Sequence, residues 1–473
     1  MDKLARTKIV CTIGPASDSV DMLRAMIRAG MNVARINFSH GDHTAHTARI
    51  AAIRQAALAE NAAVAILGDL QGPKLRVGAI RGGYVLTRIG DEIVLTTRDV
   101  PGDRGEVHLP HAELIREARP GQRLLLDDGQ LEFVVLEATG TDIRCRVVTG
   151  GPLSSYKGVT APGADLSLSA LTDKDRDDTR FAVEQGLDFL ALSFVRSDHD
   201  VRQLRDWLAN LDARIPIVAK IEKPGAIAAF DDILACSDAV MIARGDLGIE
   251  IPAERVPFVQ KDLIARCNRA GVPVITATQM LNSMVDSPRP TRAEASDVAN
   301  AILDGTSAVM LSAETATGEY PVETVQTMAR IAEVAEAHLP YDETIRRARL
   351  ERAQSPAAAI SRATVEIAYE LGAKAIVTST YTGSTARWVA SYRPRTPALA
   401  ITPRQDVQRQ LALAWGVMPV LVPYYETTDD MLAFAAQLAE ESGLAGRGDT
   451  IVVTAGIPAG KRYQTNMLKV HVI

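Results

Sequence analysis

Short apolar runs alternate with amphipathic stretches in two parts of this chain, and the runs share one polarity pattern. Each run begins with apolar side chains and ends with polar ones, and helical patterns separate successive runs. Such alternation predicts parallel strands that are covered by helices. The predicted strands are Lys8–Ile13, Asn32–Phe38, Ala63–Asp69, Phe189–Val195, Ile215–Glu222, Ala239–Asp246, Pro273–Gln279 and Ser307–Glu314. Because there are eight such units, the pattern predicts a closed (β/α)8 barrel.

A different pattern interrupts the barrel after its third strand. Residues 72–164 carry strand-like alternation, as at Ile143, Cys145 and Val147, with turn signals between the runs. This predicts a small β domain inserted into the barrel. Beyond a charged linker near residues 338–355, strands and helices alternate again, which predicts an open, mostly parallel sheet. The predicted domains are a barrel of the TIM type from 1–70 and 166–340, an inserted β domain from 71–165 and a C-terminal α/β domain from 341–473.

Charge and composition exclude several classes of protein. The chain has 52 Lys and Arg residues against 58 Asp and Glu residues, a formal net charge of −6, which argues against a nucleic-acid or membrane-surface binder. Its four cysteines are far apart, so neither a disulfide framework nor a zinc site is expected. The first residues lack the apolar core of a signal peptide, and no apolar run reaches the ~20 residues that span a bilayer. A cytoplasmic protein is therefore expected.

Three charged side chains at neighbouring predicted strand ends suggest metal chemistry. Lys220 and Glu222 are two positions apart on one strand, so their side chains point to the same side. Asp246 ends the adjacent predicted strand, so two carboxylates meet at the carboxyl ends of the strands. Paired carboxylates with open positions suit Mg²⁺, and a nearby lysine can neutralise an enolate or a transferring phosphoryl group. A buried ion-pair network is the structural alternative.

Other polar residues follow the remaining predicted strands. Arg35 and Arg76 have the guanidinium geometry that suits phosphate. The alternatives are structural: His40 as a loop hydrogen-bonder, Lys74 as a solvated surface charge beside Asp69, and Thr278 with Ser312 as helix caps.

The C-terminal domain carries a second candidate site. A run of hydroxyl residues around one glycine follows a predicted strand and opens a helix, which is typical of a phosphate cradle, and a basic loop near the C-terminus would add positive charge. An ordinary loop is the alternative. The candidate residues are Thr380, Tyr381, Thr382, Gly383, Ser384, Thr385, Lys461 and Arg462.

These segments together resemble the pyruvate kinase family over almost the whole chain and in the family's order. The residues that carry the resemblance are Thr7–Ser17, Asn32–Gly41, Lys220–Glu222, Ala243–Ile251, Pro273–Met280, Pro288–Gly305 and Leu311–Thr315. The resemblance implies transfer of the phosphoryl group of phosphoenolpyruvate to ADP, and a homotetramer regulated by a phosphorylated effector. Two alternatives are a Mg²⁺-dependent pyruvate-enolate lyase or aldolase on the same barrel, and a non-catalytic metabolite-binding regulator.

The resemblance also implies residue roles. Mg²⁺, or Mn²⁺ in its place, would lie between Glu222 and Asp246, and Lys220 would stabilise the enolate. Arg35 and Arg76 would hold phosphates, and the substrate carboxylate would meet Thr278, Gly245 and Asp246. The proton that completes pyruvate would pass through Thr278, Ser312 and Glu314. The inserted domain would close as a lid, and the nucleotide would contact Thr12, Pro15, Arg35, Asn37, His40, Arg76, Asp128 and Lys157.

One difference from many family members concerns K⁺. Leu70, Gln71, Lys74 and Val77 resemble the K⁺-independent branch. In that branch the Lys74 ammonium would take the monovalent-cation position beside Asn37, Ser39 and Asp69, so K⁺ would not be required. The 380–385 loop lacks the basic residues of a fructose-bisphosphate site, and Tyr381 and Ser384 occupy their positions. The effector is left open between a sugar monophosphate, AMP and a bisphosphate.

Overall fold

A computed structural model describes residues 5–127, 129–163, 169–350, 353, 355–457 and 464–473. Three predicted site residues, Asp128, Lys461 and Arg462, lie outside this described part of the chain.

Eight parallel strands form a closed barrel, which confirms the predicted fold class. The barrel strands are β1 (Lys8–Thr12), β2 (Met31–Asn37), β3 (Ala65–Asp69), β12 (Phe189–Leu192), β13 (Ile217–Ile221), β14 (Ala239–Ala243), β15 (Val274–Ala277) and β16 (Ala308–Leu311). Around the ring, their order is β1, β16, β15, β14, β13, β12, β3 and β2. We call their carboxyl ends the mouth of the barrel and their amino ends its floor.

Helices surround the barrel and connect its strands. They are α1 (Val20–Ala29), α2 (His43–Ala59), α4 (Asp173–Glu184), α5 (Asp198–Asn210), α6 (Pro224–Ala228), α7 (Phe230–Cys236), α8 (Arg244–Glu250), α9 (Val256–Ala270), α10 (Arg292–Leu303), α11 (Ala313–Ala316) and α12 (Pro321–Ala337). Side-chain caps fix several starts. Ser19 caps α1 by accepting the N–H of Met22, and Thr291 forms a capping box with Glu294 at the start of α10.

The insert between β3 and α4 is a small β domain with its own apolar core. Its strands form a six-stranded sheet and a separate two-stranded sheet. The elements are β4 (Tyr84–Thr87), β5 (Glu92–Thr96), β6 (Glu106–His108), α3 (Ala112–Glu117), β7 (Arg123–Leu126), β8 (Leu131–Ala138), β9 (Asp142–Thr149), β10 (Gly151–Ser154) and β11 (Val159–Thr160). We call this domain the lid.

The C-terminal part is an open sheet in the order β19, β18, β17, β20 and β21, with only the edge strand β21 antiparallel. Its strands are β17 (Ala375–Ser379), β18 (Ala398–Thr402), β19 (Val417–Leu421), β20 (Thr450–Ala455) and β21 (Met467–Val472). Its helices are α13 (Tyr341–Leu350), α14 (Pro356–Glu370), α15 (Ser384–Ser391), α16 (Gln405–Gln410) and α17 (Thr428–Glu441). None of the described helices is both long and apolar enough to cross a bilayer.

The C-terminal domain closes the floor of the barrel. Ala412 and Leu413, in a 3₁₀ turn, are buried in the same apolar cluster as Val10, Val33 and Leu67 inside the barrel. Polar contacts surround this plug. Arg409 donates to buried Asp188 at 2.7 Å, and the Lys8 ammonium donates to the Val417 carbonyl at 2.8 Å.

Seven of the eight predicted barrel strands end one to three residues earlier than expected, and for two site residues the difference places them in a helix. The strand predicted to reach Asp246 ends at Ala243, and Asp246 lies in the first turn of α8. Ala243 pairs with Ala277, the last residue of β15, so no neighbouring backbone on that side continues the ladder. Likewise, Glu314 lies in the short helix α11 rather than at the end of β16.

Candidate active site

Lys220 lies at the centre of a cluster of polar groups at the mouth. Its ammonium donates to the Ser193 hydroxyl at 2.7 Å and lies 2.9 Å from Oε1 of Glu222 and 3.2 Å from Oδ1 of Asp69. Burial by itself lowers the pKa of Lys220, but the charges of Asp69 and Glu222, with a smaller contribution from Asp246, raise it above its ordinary value. The lysine is therefore a fixed cation, and the predicted common side of Lys220 and Glu222 is confirmed.

Glu222 and Asp246 are two carboxylates near Lys220 and are the candidate ligands of a divalent cation. Glu222 is 2% exposed, and its second oxygen accepts the N–H of Phe194 at 2.9 Å. Asp246 is exposed to the solvent, and it is close enough to Lys220 to influence its pKa. One carboxylate is thus buried and held by hydrogen bonds, while the other is exposed. Oxygen donors with open positions between them are the set that Mg²⁺ prefers, because it keeps waters and takes substrate oxygens as ligands.

Gly245 and Thr278 bring the ends of β14 and β15 together. The N–H of Gly245 donates to Oγ1 of Thr278 at 2.7 Å, and a Cβ at position 245 would lie 3.3 Å from that oxygen. Thr278 and Gln279 both have positive φ, at 72° and 55°. Consecutive non-glycine residues in this region are strained, and such strain is typical of functional sites. Arg244 stabilises the same region: its guanidinium forms a bidentate ion pair with Asp297 and donates a hydrogen bond to the Thr278 carbonyl.

Arg35 is oriented by two partners on neighbouring strands. Its guanidinium contacts Oδ2 of Asp69 at 2.6 Å and donates to Oγ1 of Thr12 at 2.9 Å. Asp69 is 1% exposed, and its pKa is held below the ordinary value because Lys220 and Arg35 outweigh the effect of its burial. Arg35, Thr12 and Lys220 therefore share one wall of the mouth. At the end of β2, Asn37 Oδ1 accepts the backbone N–H of Ser39. Pro15 is exposed in the loop between β1 and α1.

The lid supplies a second group of predicted residues. Arg76 lies where the chain enters the lid, and its guanidinium donates to the Tyr156 carbonyl at 3.0 Å. Lys157 lies on the returning segment and pairs with Asp127 at 2.7 Å. The pKa of His40 is lowered by burial and then by the positive charges of Arg76, Lys74 and Arg35. Arg76 and Lys74, at the entrance of the lid, thus lie near His40 and Arg35 at the mouth of the barrel.

The sequence predicts Lys74 beside Asp69, but in the structure the two side chains are not paired. Lys74 is exposed, and within the described residues its ammonium forms no ion pair or hydrogen bond. Asp69 is instead paired with Arg35 on the adjacent strand β2 and with Lys220 on β13, two strands away on the other side. Oδ1 of Asp69 is buried and lies 3.2 Å from the Lys220 ammonium, with which it forms an ion pair. Both oxygens of Asp69 therefore face a positive charge.

Glu314 is positioned by the backbone rather than by other charges. It is 1% exposed and accepts the N–H groups of Ser312 at 2.7 Å and Leu281 at 3.3 Å. The Ser312 hydroxyl bonds to no group in the described part of the chain and is half-buried. A hydroxyl beside a fixed carboxylate is an arrangement that can hold an ordered water.

Residues 380–385 lead into α15 as predicted: Gly383, at φ 81°, is the N-cap, and Ser384 and Thr385 lie in the first turn of the helix. The Thr382 hydroxyl donates to Ser384 Oγ at 3.2 Å, whereas the Thr385 hydroxyl is buried and bonded to Thr465 at 2.8 Å. The Arg404 guanidinium lies over the Tyr381 ring, 5.2 Å from its centre. Thr380 is buried at the end of the strand.

Three residues contact these sites in the structure although no sequence pattern assigned them a role. Ser193 was visible only as a polar strand end, and its bond to Lys220 depends on the strand register. The roles of Asp297 and Arg404 depend on helices that are distant in sequence from the motifs they contact. No spacing rule links such positions.

Two family models match most of the chain. The model described as "Pyruvate kinase, barrel domain" matches residues 4–325, and "Pyruvate kinase, alpha/beta domain" matches residues 358–471. The pyruvate kinase of Geobacillus stearothermophilus is 48% identical over 471 residues, which cover 99% of this chain and 80% of that protein. The pyruvate kinase of Clostridium perfringens is 45% identical over 474 residues, with 99% and 100% coverage. A crystal structure of a pyruvate kinase from Cryptosporidium parvum superposes with a TM-score of 0.94 at 37% identity, covering 99% of this chain and 96% of that one.

Proposed function

The chain belongs to the pyruvate kinase family and transfers the phosphoryl group of phosphoenolpyruvate to ADP, and from this premise we propose how its own residues perform the reaction. The observation that carries the proposal is the Lys220 ammonium, fixed between Glu222 and Asp69 at the mouth of the barrel. A buried cation in this position stabilises negative charge that develops on the transferring phosphoryl oxygens and on the enolate that remains.

Glu222 and Asp246 hold the divalent cation, which is Mg²⁺ or Mn²⁺. When bound, the cation supplies Lewis-acid stabilisation and orients the substrate oxygens. The protein's contribution is a rigid carboxylate, because Phe194 and Lys220 fix both oxygens of Glu222, and a second carboxylate on α8 that faces the solvent.

The substrate carboxylate binds at the start of α8. The backbone of Gly245 and Asp246 approaches it closely because Gly245 has no side chain, and the Thr278 hydroxyl lies on the other side. Arg35 and Arg76 contact the phosphates. Arg35 is held in place by Asp69 and Thr12, so its guanidinium is preorganised for an anion.

The nucleotide contacts the side of the mouth that faces the lid. We assign this contact to Thr12, Pro15, Asn37, His40 and Lys157, together with Arg35, Arg76 and Asp128. Closure of the lid would exclude water and protect the phosphoryl group from hydrolysis. The positive charges that lower the pKa of His40 support an anion in this region.

The enolate is protonated by a water held at Thr278, Ser312 and Glu314. The support is geometric: Glu314 is fixed by two backbone N–H groups, and the Ser312 hydroxyl is left without a partner in the described residues. K⁺ is not required, because Lys74 extends from the loop that follows Asp69 and supplies a cation near Asp69, Asn37 and Ser39 once substrates bind.

Regulation and assembly complete the proposal. A phosphorylated effector, either a sugar monophosphate, AMP or a bisphosphate, binds residues 380–385, and Lys461 and Arg462 supply positive charge. The protein is a cytoplasmic homotetramer. Exposed apolar side chains on the edge strand β21, Val470 and Val472, and Phe258 on α9 support contacts between copies.

A coupled assay of pyruvate formation tests the reaction. Wild-type protein should release pyruvate only when phosphoenolpyruvate and ADP are both present, and Lys220→Met should lower kcat by about 10²- to 10³-fold. Lys374→Met, at an exposed lysine of the C-terminal domain, is the matched control and should leave kcat unchanged. Release of pyruvate without ADP at the same rate would favour a lyase instead.

A further inference from the structure

The entrance to the lid contains a backbone N–H that the strand pairing leaves free. Arg76 is paired with Gly158 in an antiparallel bridge. The hydrogen bonds on either side of this pair run from the Val77 N–H to the Lys157 carbonyl and from the Val159 N–H to the Leu75 carbonyl, both at 3.0 Å. In an antiparallel ladder, the residue between two such bonds directs its own N–H away from the partner strand. The N–H of Arg76 therefore needs an acceptor from elsewhere in the lid.

His111 supplies that acceptor. Nε2 of His111 accepts the N–H of Arg76 at 3.0 Å. His111 precedes helix α3, where a side chain commonly caps its own helix, yet its ring makes no capping bond. The ring is turned instead toward the entrance of the lid. Because a backbone N–H can only donate, Nε2 must carry the lone pair, so this bond requires a neutral imidazole with its proton on Nδ1.

The surroundings favour the neutral ring. Burial lowers the pKa of His111 below its ordinary value, and nearby His108 acts in the same direction, while the Glu113 carboxylate on α3 opposes both. Arg76 faces the ring through its backbone N–H, and its guanidinium is directed to the Tyr156 carbonyl. The bond is thus present at neutral pH and is lost as the pH falls through the lowered pKa.

We propose that His111 is a positioning residue for the reaction: by accepting the N–H of Arg76, its neutral ring fixes the segment that presents the Arg76 guanidinium to the phosphates. This inference rests on the proposed phosphate role of Arg76. The consequence is a link between the protonation of one lid histidine and the affinity for phosphoenolpyruvate.

Hydrogen exchange of the Arg76 amide tests the link without reference to activity. At pH 8, His111→Phe, which removes the acceptor, should exchange this amide about tenfold or more faster than wild type. After correction for the intrinsic pH dependence, wild type should lose the same protection as the pH is lowered from 8 through the pKa of His111. His111→Gln keeps an acceptor that does not titrate, so its protection should not change with pH. His108→Gln, on the same lid segment but without a bond to Arg76, should keep the wild-type protection at pH 8.

Steady-state kinetics then tests the functional half. His111→Phe should raise KM for phosphoenolpyruvate about five- to tenfold with a smaller change in kcat, and His111→Gln should lessen the rise of KM at acid pH. Equal protection of the Arg76 amide in wild type and His111→Phe at pH 8 would overturn the inference, as would a loss of protection with falling pH in His111→Gln that matches wild type. If Arg76→Gln leaves KM unchanged while the exchange results hold, the assigned role of Arg76 fails instead.

Discussion

The hydroxyl of Thr278 accepts the backbone N–H of Gly245 at 2.7 Å, which joins the ends of two neighbouring barrel strands at the proposed substrate carboxylate site. Thr278 keeps this geometry at φ 72°, a conformation that is costly for a β-branched residue. The bond and the strained backbone together fix where the start of α8 lies relative to β15.

Thr278→Val, which has nearly the same shape but no hydroxyl, should lower kcat/KM for phosphoenolpyruvate about ten- to hundredfold. The physical reason is that the N–H of Gly245 loses its acceptor and the proposed water loses a partner. Thr278→Ser retains the oxygen and should remain within a few-fold of wild type in the same assay. Equal rates for the valine and serine variants would show that the hydroxyl is not needed.

Activity should not depend on K⁺. Rates measured in KCl and in tetramethylammonium chloride at equal ionic strength should agree, because Lys74 supplies the monovalent positive charge. Lys74→Glu should lose activity in tetramethylammonium and recover it in K⁺, because it replaces that charge by a carboxylate near Asp69. Arg81→Glu makes the same change of charge elsewhere in the lid and is the control. Strong activation of wild type by K⁺ would refute the assignment of Lys74.

Stability should fall as the pH is lowered from about 6.5 towards 4 partly because of His46. Burial, followed by the charge of Arg49, lowers the pKa of His46 to about 4, and both ring nitrogens are without a partner in the described structure. Between the two pKa values the unfolded chain binds a proton that the folded chain does not, so unfolding is favoured at lower pH.

Thermal unfolding over this pH range, for wild type and His46→Leu, measures the effect. The variant should show a shallower fall of the unfolding midpoint with decreasing pH, whatever its midpoint at pH 7. His338→Gln, at the exposed histidine that follows α12, should keep the slope of wild type. Identical slopes for wild type and His46→Leu would contradict the prediction.

The plug in the barrel floor should contribute strongly to stability. Leu413 is 1% exposed and packs inside the barrel, so Leu413→Ala should destabilise the protein by about 2–5 kcal/mol through lost contacts and a cavity. Leu58→Ala, at a side chain that is 83% exposed, is the matched control. Chemical denaturation followed by barrel and C-terminal probes separately would show whether both domains lose stability. An unchanged midpoint for Leu413→Ala would show that the plug is not needed to hold the floor.

The sequence predicts the barrel well because its strands are buried on both faces and appear as apolar runs of the expected length. Lys220 and Glu222 could be placed together because a strand has a period of two residues. Strand ends were less predictable. Asp246 and Glu314 belong to helices because the ladder depends on where neighbouring strands stop, which is a property of the fold and not of the local sequence.

Contacts between distant segments were the least predictable. Lys74 was expected beside Asp69 from their proximity in sequence, but that carboxylate pairs with Arg35 from the adjacent strand β2 and with Lys220 from β13, two strands away. The bond from Arg76 to His111 joins residues that are 35 positions apart, and it follows only from the register of the lid segments. Such pairings require the three-dimensional arrangement.

Inward-facing side chains form one continuous column from the floor of the barrel to its mouth. Leu413 of the C-terminal domain packs into the cluster that contains Ala65 and Leu67 on β3, and the next inward position on that strand is Asp69, which pairs with Lys220. Close-packed interiors do not deform gradually. A rotation of the C-terminal domain would therefore either move this column or break the packing below Asp69.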